Sequence, residues 1–232
     1  MSTLLPHITV ETKINPNASV IWLHGLGADG NDFKPIVNEL GLPSEAAIRF
    51  IFPHSPSRPV TINGGMVMPA WYDILEMTIE RSVDEVQLRE SAEFITDFVE
   101  NEIANGISND RIIIAGFSQG GAVAIETALT FNKKLAGLLL MSTYFATKDS
   151  IKLASENRTI PIEIHHGQYD PVVPVQLSEV SEKELKEKGY FVEMKNYPME
   201  HSVCPQQIKD IGVWIDHCLG GSESYARTTS KL

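Results

Sequence analysis

The sequence has few cysteines, an excess of negative over positive charge and no long hydrophobic run. Its 232 residues include only two cysteines, Cys204 and Cys218, without metal-ligand spacing, so neither a disulfide framework nor a cysteine metal site is expected. The formal net charge of -11 opposes binding to nucleic acid or to anionic lipid. Neither a transmembrane run nor a signal-peptide pattern is present. We therefore expect a cytoplasmic protein with no transmembrane segment and no nucleic-acid partner.

Short apolar runs alternate with helical patterns along the chain, which is typical of an α/β fold with a mostly parallel central sheet. The length suits a single domain, placed at 1–219, followed by a polar tail at 220–232 that we predict to be disordered. Residues 53–70 contain four prolines and two glycines and predict a long loop. Strands are predicted over 7–12, 20–24, 48–53, 111–115, 136–141, 160–165 and 191–197, and helices over 82–104, 119–131, 177–188 and 205–219.

Residues 116–121 read Gly-Phe-Ser-Gln-Gly-Gly and lie between a predicted strand and a predicted helix. This is the G-x-S-x-G pattern in the strand-turn-helix context that presents a nucleophilic serine. The flanking glycines let the strand and the helix pass closely, and the helix N-terminus favours negative charge developing near Ser118. The segment therefore predicts Ser118 as a nucleophile. The alternative is that the motif occurs by chance. A chance match is less frequent when a strand must precede the motif and a helix must follow it.

A serine nucleophile needs a general base and an acid that orients the base. Asp170 follows the predicted strand 160–165, at a strand end where the site residues of α/β proteins collect. His201 follows the predicted strand 191–197, which gives the chain order serine, acid, histidine of α/β hydrolases. We therefore predict a triad of Ser118, Asp170 and His201. An ordinary Asp-Pro turn and a structural histidine are the alternatives.

A glycine-rich loop with the sequence His-Gly-Leu-Gly occupies residues 24–27, at the end of an early predicted strand. Because glycine lacks a Cβ atom, the backbone of such a loop can come close to a substrate. We expect the backbone amides of Leu26 and Gln119 to form an oxyanion hole. The loop has neither the lysine of a P-loop nor dinucleotide glycine spacing, so a phosphate site is disfavoured.

With these segments in this order, the chain resembles the acyl-protein thioesterase and small carboxylesterase family of α/β hydrolases (phospholipase/carboxylesterase type). The resemblance implies a fold without a large lid domain, no cofactor and no metal. It implies Ser118, Asp170 and His201 as the triad and Leu26 and Gln119 as oxyanion donors. The substrates it implies are esters or thioesters of acyl groups, including lipid-modified proteins and lysophospholipids. The matching segments are LHGLG at 23–27, PAWYDI at 69–74, GFSQGGA at 116–122, HGQYDPVVP at 166–174 and MEHS at 199–202.

The acyl groove is the least defined part of the site. Residues 142–145 read Ser-Thr-Tyr-Phe and depart from the Cys-Trp-Leu-Pro segment of protein thioesterases, and the loop at 60–67 is also unusual. Both segments are expected to border the acyl groove, which leaves chain length and protein-thioesterase activity open. The candidate groove residues are Trp71, Leu75, Met66, Met68 and Val172. The alternative is that these apolar side chains simply pack in the core.

Other functions stay open at this point. They are a small peptidase, a dienelactone-type hydrolase, which usually carries a cysteine nucleophile, and a non-catalytic module that binds an acyl chain. Either a monomer or a weak homodimer is compatible with the sequence.

Overall fold

The computed structural model describes residues 4–76 and 81–220. The strands are β1 (His7–Glu11), β2 (Ala18–Leu23), β3 (Ile48–Pro53), β4 (Ser57–Val60), β5 (Met66–Pro69), β6 (Ile74–Glu76), β7 (Ser82–Val83), β8 (Ile112–Phe117), β9 (Gly137–Met141), β10 (Ile162–Gly167) and β11 (Val192–Tyr197). The α-helices are α1 (Glu85–Ala104), α2 (Gln119–Thr130), α3 (Val175–Glu187) and α4 (Pro205–Cys218). Short 3-10 turns lie at Lys34–Glu39, Thr61–Asn63 and Asn109–Arg111.

A seven-stranded sheet with the order β1-β3-β2-β8-β9-β10-β11 forms the centre of the fold. Within this sheet, β1 is antiparallel to β3 and the other five pairs are parallel. Every residue of β2 and β8 is buried, as expected for parallel strands covered on both faces. Because the strands run parallel, the loops after β2, β8, β10 and β11 meet at one edge of the sheet.

Helices cover both faces of this sheet. Ile21 and Leu23 of β2 belong to the core shared with α1, α2 and α3, whereas Val20 and Trp22 face α4 and the turn at Lys34–Glu39. This alternation follows from the two-residue period of a strand. Helix α2 is buried from its first residue as far as Leu129, because it lies between α1 and the sheet.

Most predicted elements lie within one or two residues of the observed ones, but two predictions were wrong. The first helix begins at Glu85 rather than at residue 82, because the Asp84 side chain caps it by accepting a 3.0 Å hydrogen bond from the Gln87 amide. Ser82 belongs instead to the short strand β7. The expected loop at 53–70 contains an antiparallel hairpin of β4 and β5.

The fold class is that of an α/β hydrolase, as the sequence predicts, and residues 4–76 and 81–220 form no large lid domain. Within the described ranges, no helix combines the length and the apolar character needed to cross a membrane. The domain boundary at 219 stays a prediction, and the predicted tail lies outside the described residues from 221 onward.

Candidate active site

Ser118 occupies a tight turn between β8 and α2. Its backbone has φ 52° and ψ -120°, a conformation that costs a non-glycine residue about 1–3 kcal/mol and that needs support from its surroundings. That support includes a 2.8 Å hydrogen bond from the Ser118 amide to the carbonyl of Met141. A Cβ atom on Gly116 or Gly120 would overlap neighbouring backbone, so both glycines are required for this close packing.

Asp170 and His201 meet at the same edge of the sheet as Ser118, on the loops after β10 and β11. The His201 Nδ1 atom lies 2.7 Å from Oδ2 of Asp170. Since a carboxylate oxygen accepts and does not donate, Nδ1 carries the proton and Nε2 keeps its lone pair. The Phe117 ring packs against the imidazole of His201 with centroids 4.7 Å apart, which further limits its orientation.

The carboxylate of Asp170 is buried and accepts several hydrogen bonds. Its Oδ1 atom accepts from the amides of Val172 and Val173, each at 2.8 Å. Burial alone would raise the pKa of Asp170, but hydrogen bonds from His166, His201 and the Val173 amide outweigh it and lower this pKa well below 3.8. Asp170 is therefore ionised at neutral pH and holds the imidazole by a charge-assisted hydrogen bond.

A cavity of about 360 Å³ opens in front of Ser118 and His201, and Leu26 and Gln119 also line it. Gln119 begins α2, so its amide is one of the N–H groups that a helix N-terminus leaves without an intrahelical acceptor. Within the described ranges, neither the Leu26 amide nor the Gln119 amide donates a backbone hydrogen bond. An oxygen bound in the cavity could accept from both, which is the chemistry of an oxyanion hole.

The side chain of Gln119 ties the turn to the segment after β5. Its Oε1 atom accepts from the amide of Trp71 at 2.8 Å, and its Nε2 atom donates to the carbonyl of Tyr72 at 2.6 Å. The Trp71 indole N–H in turn donates to the carbonyl of His24 at 2.9 Å. These bonds hold the loop that carries Leu26 and the start of α2 in one arrangement.

The five candidate groove residues do not lie together. Val172 lines the cavity. Trp71 is fully buried and is absent from the cavity lining, and it contributes to the site through its hydrogen bonds to Gln119 and His24. Met66 and Leu75 are exposed and outside the cavity lining, while Met68 is half-buried with its sulfur near Gly27.

Several cavity residues were not identified from the sequence. Ile62 lies on the hairpin turn, within the loop expected at 53–70, and Ile74 begins β6, beyond that loop. Tyr144 lies in the segment that departs from the family pattern, and that departure was the available signal. Arg81 was missed because an isolated arginine before a helix is an ordinary surface residue in a sequence.

No cluster of three or more histidine, cysteine, aspartate or glutamate side chains within residues 4–76 and 81–220 could hold a metal ion. The polar residues that line the cavity include Ser118 and His201, with the backbone amides of Leu26 and Gln119 beside them. Together with the sheet and its flanking helices, this arrangement defines the chain as an α/β hydrolase.

Known proteins support a narrower assignment. The family model for phospholipases and carboxylesterases matches residues 6–219. Acyl-protein thioesterase 1 of Neurospora crassa is 37% identical over 219 residues, 89% of each chain. The crystal structure of Arabidopsis thaliana SOBER1 has a TM-score of 0.82 at 30% identity and covers 87% of this chain and 99% of its own. That of Zea mays acyl-protein thioesterase 2 has a TM-score of 0.78 at 26% identity and covers 93% and 100%.

The chain belongs to the phospholipase/carboxylesterase family, and it is accordingly an ester or thioester hydrolase. The resemblance drawn from its sequence motifs is thereby confirmed.

Proposed function

We propose that the protein hydrolyses carboxylic esters and acyl thioesters, with Ser118 as nucleophile, His201 as general base and Asp170 as the orienting carboxylate. The observation that carries the proposal is that Ser118 and His201 line one cavity while Nδ1 of His201 lies 2.7 Å from Asp170. Only the Nε2 lone pair of that imidazole is then available to take the serine proton.

In the first half of the reaction, His201 Nε2 takes the proton of the Ser118 hydroxyl as the oxygen attacks the acyl carbonyl. The carbonyl oxygen becomes negatively charged and accepts hydrogen bonds from the Leu26 and Gln119 amides. The imidazolium that forms is stabilised by the ionised Asp170. When the tetrahedral intermediate collapses, His201 returns the proton to the departing alcohol or thiol.

In the second half, water attacks the acyl-enzyme and gives up a proton to His201. The same two amides stabilise the second oxyanion, and the proton returns to Ser118 when the carboxylic acid leaves. A thiolate leaves more readily than an alkoxide because its conjugate acid has a lower pKa. Thioesters should therefore depend less on His201 as an acid than oxygen esters do.

The relatives named acyl-protein thioesterase support acylated proteins as a substrate class. The family name supports phospholipids as a second, within which we propose lysophospholipids. For both classes, the proposal specifies only that the ester or thioester bond to the acyl group is broken. Cytoplasmic location and a monomer or weak homodimer stay predictions.

The test is hydrolysis of p-nitrophenyl esters from acetate to laurate, and of an S-acylated cysteine peptide, by wild type, Ser118→Ala and Ser44→Ala. Ser118→Ala is expected to lose several orders of magnitude in kcat, since removal of the triad nucleophile costs roughly a millionfold in subtilisin. Ser44 is outside the cavity lining, and Ser44→Ala is the matched control that should keep wild-type rates.

A fluorophosphonate probe, which reacts with activated serines, distinguishes a protein without catalytic activity from an enzyme whose nucleophile is another residue. Wild type should gain one stoichiometric adduct on Ser118 by mass spectrometry, and Ser118→Ala should gain none. Wild-type rates in Ser118→Ala would place the nucleophile elsewhere. Absence of both turnover and adduct in wild type would favour the non-catalytic acyl-binding module.

A further inference from the structure

Two residues in the lining of the active-site cavity also border a second cavity. Arg81 and Tyr144 line the cavity of about 360 Å³ that contains Ser118. The same two residues also line a second cavity, of about 650 Å³, between the start of α1, the segment after β9 and helix α3. Both side chains are almost fully buried, with 8% of Arg81 and 4% of Tyr144 exposed. Arg81 and Tyr144 therefore separate the active-site cavity from the second cavity.

Specific contacts hold this wall in place. The guanidinium carbon of Arg81 lies 4.9 Å from the centroid of the Tyr144 ring, a cation-π distance. An Arg81 Nη2 hydrogen is donated to the carbonyl of Val172. The Tyr144 hydroxyl is 2.8 Å from that of the fully buried Tyr72. Burial raises the pKa of both phenols, so the hydroxyl pair stays neutral and hydrogen-bonded at physiological pH.

The volume in front of the wall limits what the site can hold. Its volume of about 360 Å³ lies near the lower end of the range of ligand pockets, which is about 300–1,000 Å³. The ester group and the first atoms of the leaving group take part of this space. A sixteen-carbon acyl chain would therefore extend past the wall, into the second cavity or into solvent.

The second cavity could receive such a chain if the wall were absent. Val83, Phe145, Leu177 and Val180 contribute apolar surface to its lining. Charged groups, including Lys148, line the same space, so it is not a dedicated lipid pocket as it stands. The barrier between Ser118 and this volume is the Arg81–Tyr144 pair.

We propose that Arg81 and Tyr144 form a partition that sets the acyl-chain length, so that the site favours acyl groups short enough to end in front of this pair. The inference rests on the proposed function, because it assumes that acyl transfer occurs at Ser118. The proposed substrates are esters and thioesters of short and medium acyl groups, and Arg81 and Tyr144 are the residues that determine this preference.

The experiment compares kcat/KM for p-nitrophenyl butyrate and p-nitrophenyl laurate in wild type and in Arg81→Ala. Wild type should hydrolyse the laurate at least about tenfold less efficiently than the butyrate. Arg81→Ala joins the two cavities and should raise the laurate-to-butyrate ratio at least about tenfold. Because a ratio measured on one preparation does not depend on the fraction of folded enzyme, a merely destabilised variant would leave it unchanged.

Arg58→Ala is the matched control, since Arg58 is also largely buried, pairs with Glu90 at 3.3 Å and lines neither cavity. It should keep the wild-type ratio. Tyr144→Ala provides a second opening of the wall if Arg81→Ala does not fold, and Tyr144→Phe, which keeps the ring, should shift the ratio less.

A wild-type enzyme that prefers laurate would overturn the partition, and so would unchanged ratios in both Arg81→Ala and Tyr144→Ala. Failure of the proposed function has a different signature, namely ester hydrolysis that persists in Ser118→Ala or is absent from wild type.

Discussion

The hydroxyl of Thr143 donates a 2.6 Å hydrogen bond to the backbone carbonyl of Ser118. Thr143 follows β9 and is only 1% exposed, so this bond lies in the interior. The same carbonyl accepts a second bond from the Gly121 amide at 2.9 Å. Since the backbone of Ser118 is strained, these contacts help to keep the serine in the conformation that faces the cavity.

Thr143→Val should therefore lower the free energy of unfolding by about 1 kcal/mol and reduce esterase activity, because valine keeps the shape of threonine and removes its donor. Urea unfolding and p-nitrophenyl butyrate hydrolysis measure the two effects. Thr143→Ser retains the hydroxyl and should be closer to wild type in activity. If the serine variant were the more impaired one, packing of the methyl group against Gly121 would matter more than the hydrogen bond.

Gln119→Ala should be more destabilising, by about 2–4 kcal/mol, because it leaves the buried Trp71 amide and Tyr72 carbonyl without the partners that Gln119 provides. Thermal or urea unfolding measures this loss. Gln119→Glu keeps an acceptor for the Trp71 amide but faces the Tyr72 carbonyl with another acceptor, so an intermediate loss is expected. Wild-type stability in Gln119→Ala would mean that this bridge contributes little to holding the site.

Asp170→Asn should lower kcat by about 10⁴-fold, which is the loss seen when the carboxylate of a serine-protease triad becomes an amide. It should also lower the free energy of unfolding by about 1.5–3 kcal/mol at pH 7. The folded-state pKa of Asp170 lies below 3.8, so its ionised form adds stability above that pH and loses it as pH falls through the folded pKa. The stability gap between wild type and variant should therefore narrow as pH falls from about 5 towards 2.

Urea unfolding at pH 6 and pH 3 tests this prediction. Asp149→Asn is the control, because the Asp149 side chain is 82% exposed and forms a surface ion pair with Lys148 at 2.8 Å. A surface substitution of this kind should change stability by less than about 0.5 kcal/mol at either pH. A gap for Asp170→Asn that stays constant or widens on acidification would contradict the stabilising role of its ionised form.

The arrangement of the candidate site could largely be predicted from the sequence, because its geometry is encoded locally. The turn at Ser118 requires glycines at fixed offsets, and these are visible as a motif between a strand and a helix. The meeting of Asp170 and His201 follows from topology, since loops after parallel strands share an edge of the sheet. Neither inference needs knowledge of side-chain packing.

The parts that were missed depend on contacts between distant segments. The glycines at 64 and 65 adopt positive φ and turn β4 back onto β5, but the same pair could equally mark an open loop. The first helix was predicted from residue 82, but Ser82 pairs with Glu76 in β7 and the cap of α1 falls on Asp84. The approach of Arg81 to Tyr144 joins residues 63 positions apart, and no local pattern reports it.

The burial of α2 on nearly all sides has a consequence for how the protein opens. Hydrogen-bonded amides in the interior of β8 and α2 should exchange with solvent only when the layers around them separate, which requires nearly complete unfolding. We therefore expect the two elements that hold Ser118 to exchange slowly, whereas the hairpin beside the cavity can fluctuate locally. Variation at this hairpin can therefore change which acyl groups enter without loosening the turn that would react with them.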